Sequence, residues 1–67
     1  MTELDNEIIG LLETIEEQLN NAAEDSVKFI QGNNSAGTRV RKAMQNIKDL
    51  AQQVRVEVQA QKNGVPA

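Results

Sequence analysis

The segment Gly32-Asn33-Asn34-Ser35-Ala36-Gly37-Thr38-Arg39-Val40-Arg41-Lys42 joins turn-forming residues directly to three cations. Gly32 can adopt the left-handed conformation that ends a helix, and Asn34 or Ser35 can accept hydrogen bonds from the first turn of a following helix. The segment therefore predicts a turn between two helices. Unpaired amides at a helix N-terminus also attract anions, and the three cations add positive charge one turn further on. The same segment is therefore a candidate phosphate-binding site.

The residues before this turn predict a helix from about residue 3 to residue 31. Their apolar positions are separated alternately by four and three residues, which is typical of a helix with one apolar seam. Thr2, with Asp5 three residues later, resembles a capping box and is the predicted start. The predicted seam consists of Ile8, Leu12, Ile15, Leu19, Ala22, Ser26 and Phe29. Further apolar residues widen this seam, so more than one neighbouring helix is expected to cover it.

A second helix is predicted from about residue 36 to residue 62. The alternation of three and four continues through Val40, Ala43, Ile47, Leu50 and Val54. The run from residue 54 to residue 58 alternates as a strand would, but no turn-forming residue brackets it, so a helix is predicted there as well. Asn63-Gly64 is the predicted helix end, and residues 63–67 are the predicted C-terminal tail.

Two helices of similar length with a turn at about residues 32–35 predict an all-α protein, an antiparallel two-helix hairpin over residues 1–62. A chain of 67 residues buries little surface alone, and without cysteine it cannot form a disulfide. Self-association is therefore predicted, as a dimeric four-helix bundle or a higher oligomer. The predicted oligomer core consists of Ile8, Leu12, Ile15, Leu19, Phe29, Val40, Ile47, Leu50 and Val54.

The composition argues against an enzyme. The chain has no histidine or cysteine to act as nucleophile or general base, and no glycine-rich phosphate loop follows a strand. We therefore predict no catalytic residue, no metal, no cofactor and no small-molecule substrate. The first five residues have no basic start or apolar run, and no segment reaches the roughly 20 apolar residues that span a bilayer. A cytoplasmic protein that does not bind membranes is expected.

The charge is divided unevenly along the chain. Residues 1–34 contain eight acidic residues and one lysine, a net charge of −7, whereas residues 35–67 contain six basic and two acidic residues, a net charge of +4. Four of the cations recur every seven residues and should lie on one side of the second helix: Arg41, Lys48, Arg55 and Lys62. These cations can pair with acidic residues of a neighbouring helix or bind the phosphates of a polyanion, and the spacing alone does not decide between the two.

The block from Gly32 to Met44, followed by Ile47-Lys48, Leu50-Ala51-Gln52 and Arg55, resembles the bacterial linker-histone-like proteins of the chlamydial type. The resemblance is strongest from about residue 25 to residue 62, and Gly-Thr-Arg-x-Arg-Lys is its most specific element. It implies a nucleoid-associated protein that binds duplex DNA through backbone phosphates without strong sequence preference, and that self-associates. The DNA-binding residues that it implies are Gly37, Thr38, Arg39, Arg41, Lys42, Lys48 and Arg55.

The chain differs from the longer members of that family, which have a lysine-rich C-terminal tail where this sequence has Asn63-Gly64-Val65-Pro66-Ala67. It resembles a short form of the family. Two functions remain open at this point. One is a histone-like DNA-binding protein, and the other is a helical oligomerisation or protein-interaction scaffold that binds no nucleic acid.

Overall fold

The computed structural model describes residues 6–64, which form two α-helices and no strand. Helix α1 comprises Glu7–Ile30 and helix α2 comprises Asn34–Lys62. The helices pack antiparallel, since Asn6 at the start of α1 hydrogen-bonds Gln61 at the end of α2. The predicted all-α hairpin is therefore confirmed.

The turn between the helices is built on Gly32, as predicted. Its φ of +110° lies in the region that glycine adopts readily and other residues do not. The amide of Gly32 donates to the carbonyl of Phe29 at 2.9 Å, and the amide of Asn33 donates to the carbonyl of Lys28 at 3.0 Å. This pair of bonds is a Schellman motif, which satisfies two of the carbonyls left free at the end of α1.

The helix starts differ from the predicted ones. Asn33, rather than Asn34 or Ser35, caps α2, because its side-chain oxygen accepts from the amide of Ala36 at 3.1 Å. Helix α1 begins at Glu7, later than predicted, because Asn6 is extended and its side chain accepts from the amide of Ile8 at 2.8 Å. The predicted start at Thr2 lies outside the described residues.

Helix α2 ends where the sequence predicts, at Asn63 and Gly64. Gly64 has a φ of +73°, and its amide donates to the carbonyl of Gln61 at 3.1 Å. The run from residue 54 to residue 58 is helical throughout, so its strand-like alternation has no structural counterpart. Of the predicted tail, residues 65–67 are not among those described.

The face that α1 turns toward α2 differs in part from the predicted seam. Leu11 and Gln18 are half-buried there, whereas Leu12 is 46% exposed and Leu19 is 54% exposed. Leu12 and Leu19 therefore lie outside the contact between the two helices, and their place in an oligomer core stays a prediction. In α2 the prediction holds, since the half-buried or buried positions include Val40, Ala43, Ile47, Leu50 and Val54.

The buried residues between the helices are small. Within residues 6–64 the buried side chains are Ala22, Ala36 and Ala43, and no large side chain is fully buried. Burying an alanine removes much less apolar area from water than burying a leucine or phenylalanine. The hairpin therefore leaves most of its large apolar side chains in contact with solvent.

Candidate nucleic-acid interface

The two broad sides of the hairpin differ in character. A cleft of about 480 Å³ near the turn opens on one side, and its walls include Ser26, Phe29, Gly37 and Arg41. Positions seven residues apart lie on the same face of a helix, so this side also carries the residues related to Ser26 and Gly37 by steps of seven. We call it the apolar side, and it consists of Leu12, Leu19, Ser26, Gly37, Met44, Ala51 and Val58.

The opposite side of the hairpin is polar. A second cleft there is lined by Glu7, Gln53 and Val56, among others. Steps of seven from Glu7 and Gln53 define what we call the polar side, which consists of Glu7, Thr14, Asn21, Lys28, Arg39, Asn46 and Gln53. Each side combines residues of both helices, so the hairpin as a whole is amphipathic.

Arg39, a predicted DNA-binding residue, is engaged within the chain. Its Nε and Nη2 atoms each lie 3.0 Å from Oδ1 of Asp25. The Asp25 side chain is 17% exposed and that of Arg39 is 50% exposed, so the carboxylate is the more shielded partner. This is the ion pair found among residues 6–64, and it neutralises part of the charge that Arg39 would offer to a phosphate.

The four cations spaced by seven residues form a continuous feature. We call Arg41, Lys48, Arg55 and Lys62 the basic strip. All four are exposed, and α2 is unbroken from the first to the last. Successive members are about 10 Å apart along the helix. No carboxylate of residues 6–64 lies within salt-bridge distance of them, and the strip borders the apolar side along the outer edge of α2.

The cations near the turn do not form a single cluster, although they are adjacent in sequence. A helix turns by about 100° per residue, so Arg41 points about 160° away from Arg39 and Lys42 points outward between them. Arg41 belongs to the apolar side's edge and Arg39 to the polar side. Lys42 and Thr38 are exposed on α2. The predicted DNA-binding residues near the turn therefore point in three different directions.

Gly37 has a packing role in the structure. The ring of Phe29 lies directly against it, and together they form part of the cleft wall near the turn. The resemblance implied that Gly37 binds DNA, and the contact with Phe29 was not predicted from the sequence. The pairing of Asp25 with Arg39 was also not predicted, because the predicted seam of α1 contained Ser26 and not Asp25.

The described residues show no metal site and no membrane span. No group of three or more acidic residues in this part of the chain could hold a metal ion. Neither helix combines the length and apolar character needed to cross a membrane.

These features define a small helical-hairpin protein with one cationic edge. The family model described as histone H1-like protein Hc1 matches residues 10–64, which cover both helices and the turn. The chain belongs to this family, and the resemblance to chlamydial-type histone-like proteins is confirmed. No curated protein and no solved structure matches the chain. The family is one of histone-like structural proteins and not of enzymes.

Proposed function

We propose that this protein is a histone-like, nucleoid-associated protein that binds duplex DNA through its phosphates without strong sequence preference. The observation that carries the proposal is the basic strip, exposed and without carboxylate partners among residues 6–64, in a chain of the histone H1-like family. Long, mobile cations that meet phosphates release the counterions condensed on DNA, and this release drives binding.

The predicted DNA-binding residues are not all expected to contribute equally. Arg41 and Lys42 are exposed near the turn, and Lys48 and Arg55 continue along the same helix. Arg39 is expected to contribute less, because phosphate contact would compete with Asp25. The chain has a single aromatic residue, Phe29, which packs against Gly37, so it lacks the set of rings on which successive bases stack. Recognition of charge and backbone shape, rather than of base edges, follows from this composition.

Fluorescence anisotropy with two labelled duplexes of unrelated sequence tests the proposal. Both duplexes should be bound at low salt with affinities that agree within about threefold. If each protomer engages about three phosphates, log K should fall with log salt at a slope of about −2.7, and a dimer should give about twice that slope. Absence of binding at low salt would refute the proposal, as would a strong preference for one duplex.

A charge-matched pair of variants locates the contact. Arg41→Gln/Lys42→Gln removes two cations from the outer face of α2, whereas Lys28→Gln/Arg39→Gln removes two from the polar side at the same end of the hairpin. The first variant should weaken binding about tenfold or more and reduce the salt slope by about 1.8. The second should weaken it less than threefold. Equal losses would show that only the net charge matters.

A scaffold that binds no nucleic acid is the second candidate function. Two observations favour it: the Arg39–Asp25 pair uses one cation internally, and the apolar side is available for a protein partner. In that case the Arg41→Gln/Lys42→Gln variant should alter assembly in sedimentation experiments without any DNA present. Binding of both duplexes by the unmodified protein argues against this candidate.

A further inference from the structure

The apolar side exposes large side chains that nothing within residues 6–64 covers. Leu19 is 54% exposed, Leu12 is 46% exposed, and Met44 is 42% exposed. We propose that a second copy of the chain covers this side, related by a two-fold axis parallel to the helices, so that both turns lie at the same end of a four-helix bundle. In this arrangement α1 of each copy packs on α2 of the other.

Large residues on α1 of one copy can pack between residues of α2 of the other. On the apolar side α1 contributes Leu12 and Leu19, whereas α2 alternates the small Gly37 and Ala51 with the larger Met44 and Val58. Phe29 lies level with Gly37 within the hairpin. Because the helices are antiparallel, the residue ten before Phe29 on α1 is level with the residue ten after Gly37 on α2. Leu19 therefore lies at the height midway between Met44 and Ala51.

A rotation about an axis parallel to the helices preserves the height of every residue. Leu19 of one copy therefore meets the gap between Met44 and Ala51 of the other. Leu12 likewise meets the gap between Ala51 and Val58. Side chains that insert between neighbours of the facing helix give the packing typical of helical bundles. The two-fold symmetry alone fixes this register, because it allows no shift of one copy along the axis relative to the other.

The charges at the two edges of the apolar side also favour this arrangement. The outer edge of α2 carries the basic strip, and the corresponding edge of α1 beside the apolar side carries Glu16, with Glu13 further round on the outer face of α1; both are exposed. At preserved height, Lys48 comes within two residues, about 3 Å along the axis, of Glu16 in the second copy. Arg55 comes equally close in height to Glu13. Opposite charges therefore face each other along both edges of the proposed interface.

The alternative two-fold arrangement, with turns at opposite ends, brings like charges together. There α2 packs on α2, so the basic strip of one copy faces the basic strip of the other. The glutamates of the α1 edges also face each other. Like charges in close contact oppose association, so charge selects the arrangement with both turns at the same end.

The arrangement does not depend on the proposed function, but it changes which cations can serve it: Lys48 and Arg55 would face glutamates of the second copy, whereas Arg41 and Lys42 would stay available to phosphates. At the height of Arg41, the α1 edge of the second copy carries Ala23 and Val27, which have no charge. Arg41 of each copy would thus lie at the same end of the bundle, on the two α2 helices that stand diagonally across it. A duplex could then meet both copies at once, which increases the apparent affinity of each.

Spin labels test the arrangement directly, because the chain has no cysteine of its own. Ser35→Cys places a label near the turn and Gln59→Cys places one near the other end, both at exposed positions. Each labelled dimer should show a distance below about 30 Å between labels. In the opposite arrangement each distance would approach the length of α2, roughly 40 Å, and a mixture of the two variants would give a short distance instead.

Two sets of variants test the contacts by analytical ultracentrifugation. Leu19→Ser should raise the dimer Kd more than tenfold, whereas Val56→Ser should change it less than threefold. Val56 is a suitable control because it is 57% exposed and lines the cleft on the polar side.

Lys48→Glu and Glu16→Lys should each raise the dimer Kd about threefold to tenfold, and the double variant Lys48→Glu/Glu16→Lys should restore it. Lys28→Glu, on the polar side, is the control for Lys48→Glu and should leave the dimer Kd within about twofold. Far-ultraviolet circular dichroism of each variant shows whether the helices persist.

Three results would overturn the inference. They are a monomer at all accessible concentrations, a long distance between labels, and a double charge variant that associates no better than the single ones. Duplex binding is measured separately by anisotropy. A monomer that still binds DNA would refute the interface alone, and a dimer of the expected geometry that binds no duplex would refute the proposed function alone.

Discussion

The ring of Phe29 rests against the backbone of Gly37 across the turn end of the hairpin. A methyl group on Gly37 would lie 2.6 Å from Cδ1 and 2.7 Å from Cε1 of that ring. Carbon atoms in contact normally stay about 3.5–4.0 Å apart, so the ring occupies the space that any side chain at residue 37 would need. The contact joins the last turn of α1 to the first turns of α2.

Gly37→Ala should therefore destabilise the hairpin. Alanine favours a helix by up to about 1 kcal/mol over glycine, but displacement of the ring opposes this and should leave a net loss of about 1 kcal/mol. Gly10→Ala is the matched control, because nothing lies within 4 Å of the added methyl group. At a fixed protein concentration, thermal unfolding should show a lower Tm for Gly37→Ala and a higher one for Gly10→Ala.

The double variant Phe29→Ala/Gly37→Ala shows whether the ring causes that loss. Once the ring is absent, Gly37→Ala should stabilise the protein, as Gly10→Ala does, and the double-mutant cycle should give a coupling energy of about 1 kcal/mol or more. Additive effects of the two substitutions would contradict the packing described for this contact.

Gly32 is the residue that the turn itself requires. Gly32→Ala should cost about 1–2 kcal/mol of unfolding free energy, because a φ of +110° is strained for alanine even though nothing crowds the site. Urea unfolding followed by circular dichroism measures the loss. A variant as stable as the parent would mean that the turn adopts another conformation.

The cap of α2 can be assigned by mutation. Asn33→Ala should cost about 1 kcal/mol, because it removes the side-chain oxygen that accepts from the amide of Ala36 at 3.1 Å and leaves that amide only the main-chain carbonyl of residue 33, also at 3.1 Å. Asn34→Ala, one residue further on, is expected to change the unfolding free energy by less than about 0.5 kcal/mol. The reverse order of losses in urea unfolding would assign the cap to Asn34.

The Arg39–Asp25 pair should contribute modestly to stability and depend on salt. Arg39→Gln is expected to cost at most about 1 kcal/mol at low ionic strength, since the guanidinium is half exposed and well solvated. The difference from the parent should shrink at 1 M salt, where screening is strong over distances of about 3 Å. A loss that is independent of salt would indicate packing of the arginine stem instead.

The number of helices and the position of the turn could be predicted from the sequence, because local chemistry determines both. Gly32 ends one helix whatever surrounds it, and Asn63-Gly64 ends the next. Which residue caps α2 was harder to predict, since Asn33 and Asn34 are the same residue type. It depends on the Schellman motif, in which the amide of Asn33 bonds back to Lys28 and leaves the residue extended before α2.

The face of α1 could not be predicted fully from spacing. Leu11 and Leu12 both fit between Ile8 and Ile15 in an alternation of three and four, so the pattern allows either. The structure selects Leu11, followed by Gln18 and then Asp25. The pattern through Leu12 and Leu19 was chosen because the pattern through Leu11 places the polar residues Gln18 and Asp25 in the seam. Asp25 lies there because Arg39 pairs with it, and that contact joins residues fourteen positions apart.

The residues of the candidate site could be predicted from the sequence, but the surface that they form could not. The seven-residue spacing of Arg41, Lys48 and Arg55 fixes their common direction once α2 is a helix, so the basic strip could be predicted. The direction of Arg39 followed equally from the helix, but its pairing depends on which residue of α1 lies level with it. Only the packed hairpin supplies that information.

The alanines that are shielded from solvent all lie in the half of the hairpin near the turn: Ala22, Ala36 and Ala43. The other half has only partly covered contacts, so thermal opening should begin at the end with the chain termini and proceed toward Gly32. Backbone amides around Val54 should accordingly exchange with deuterium earlier than those around Ala43. The two helices would thus separate first at the end with the chain termini and remain together longest at the turn.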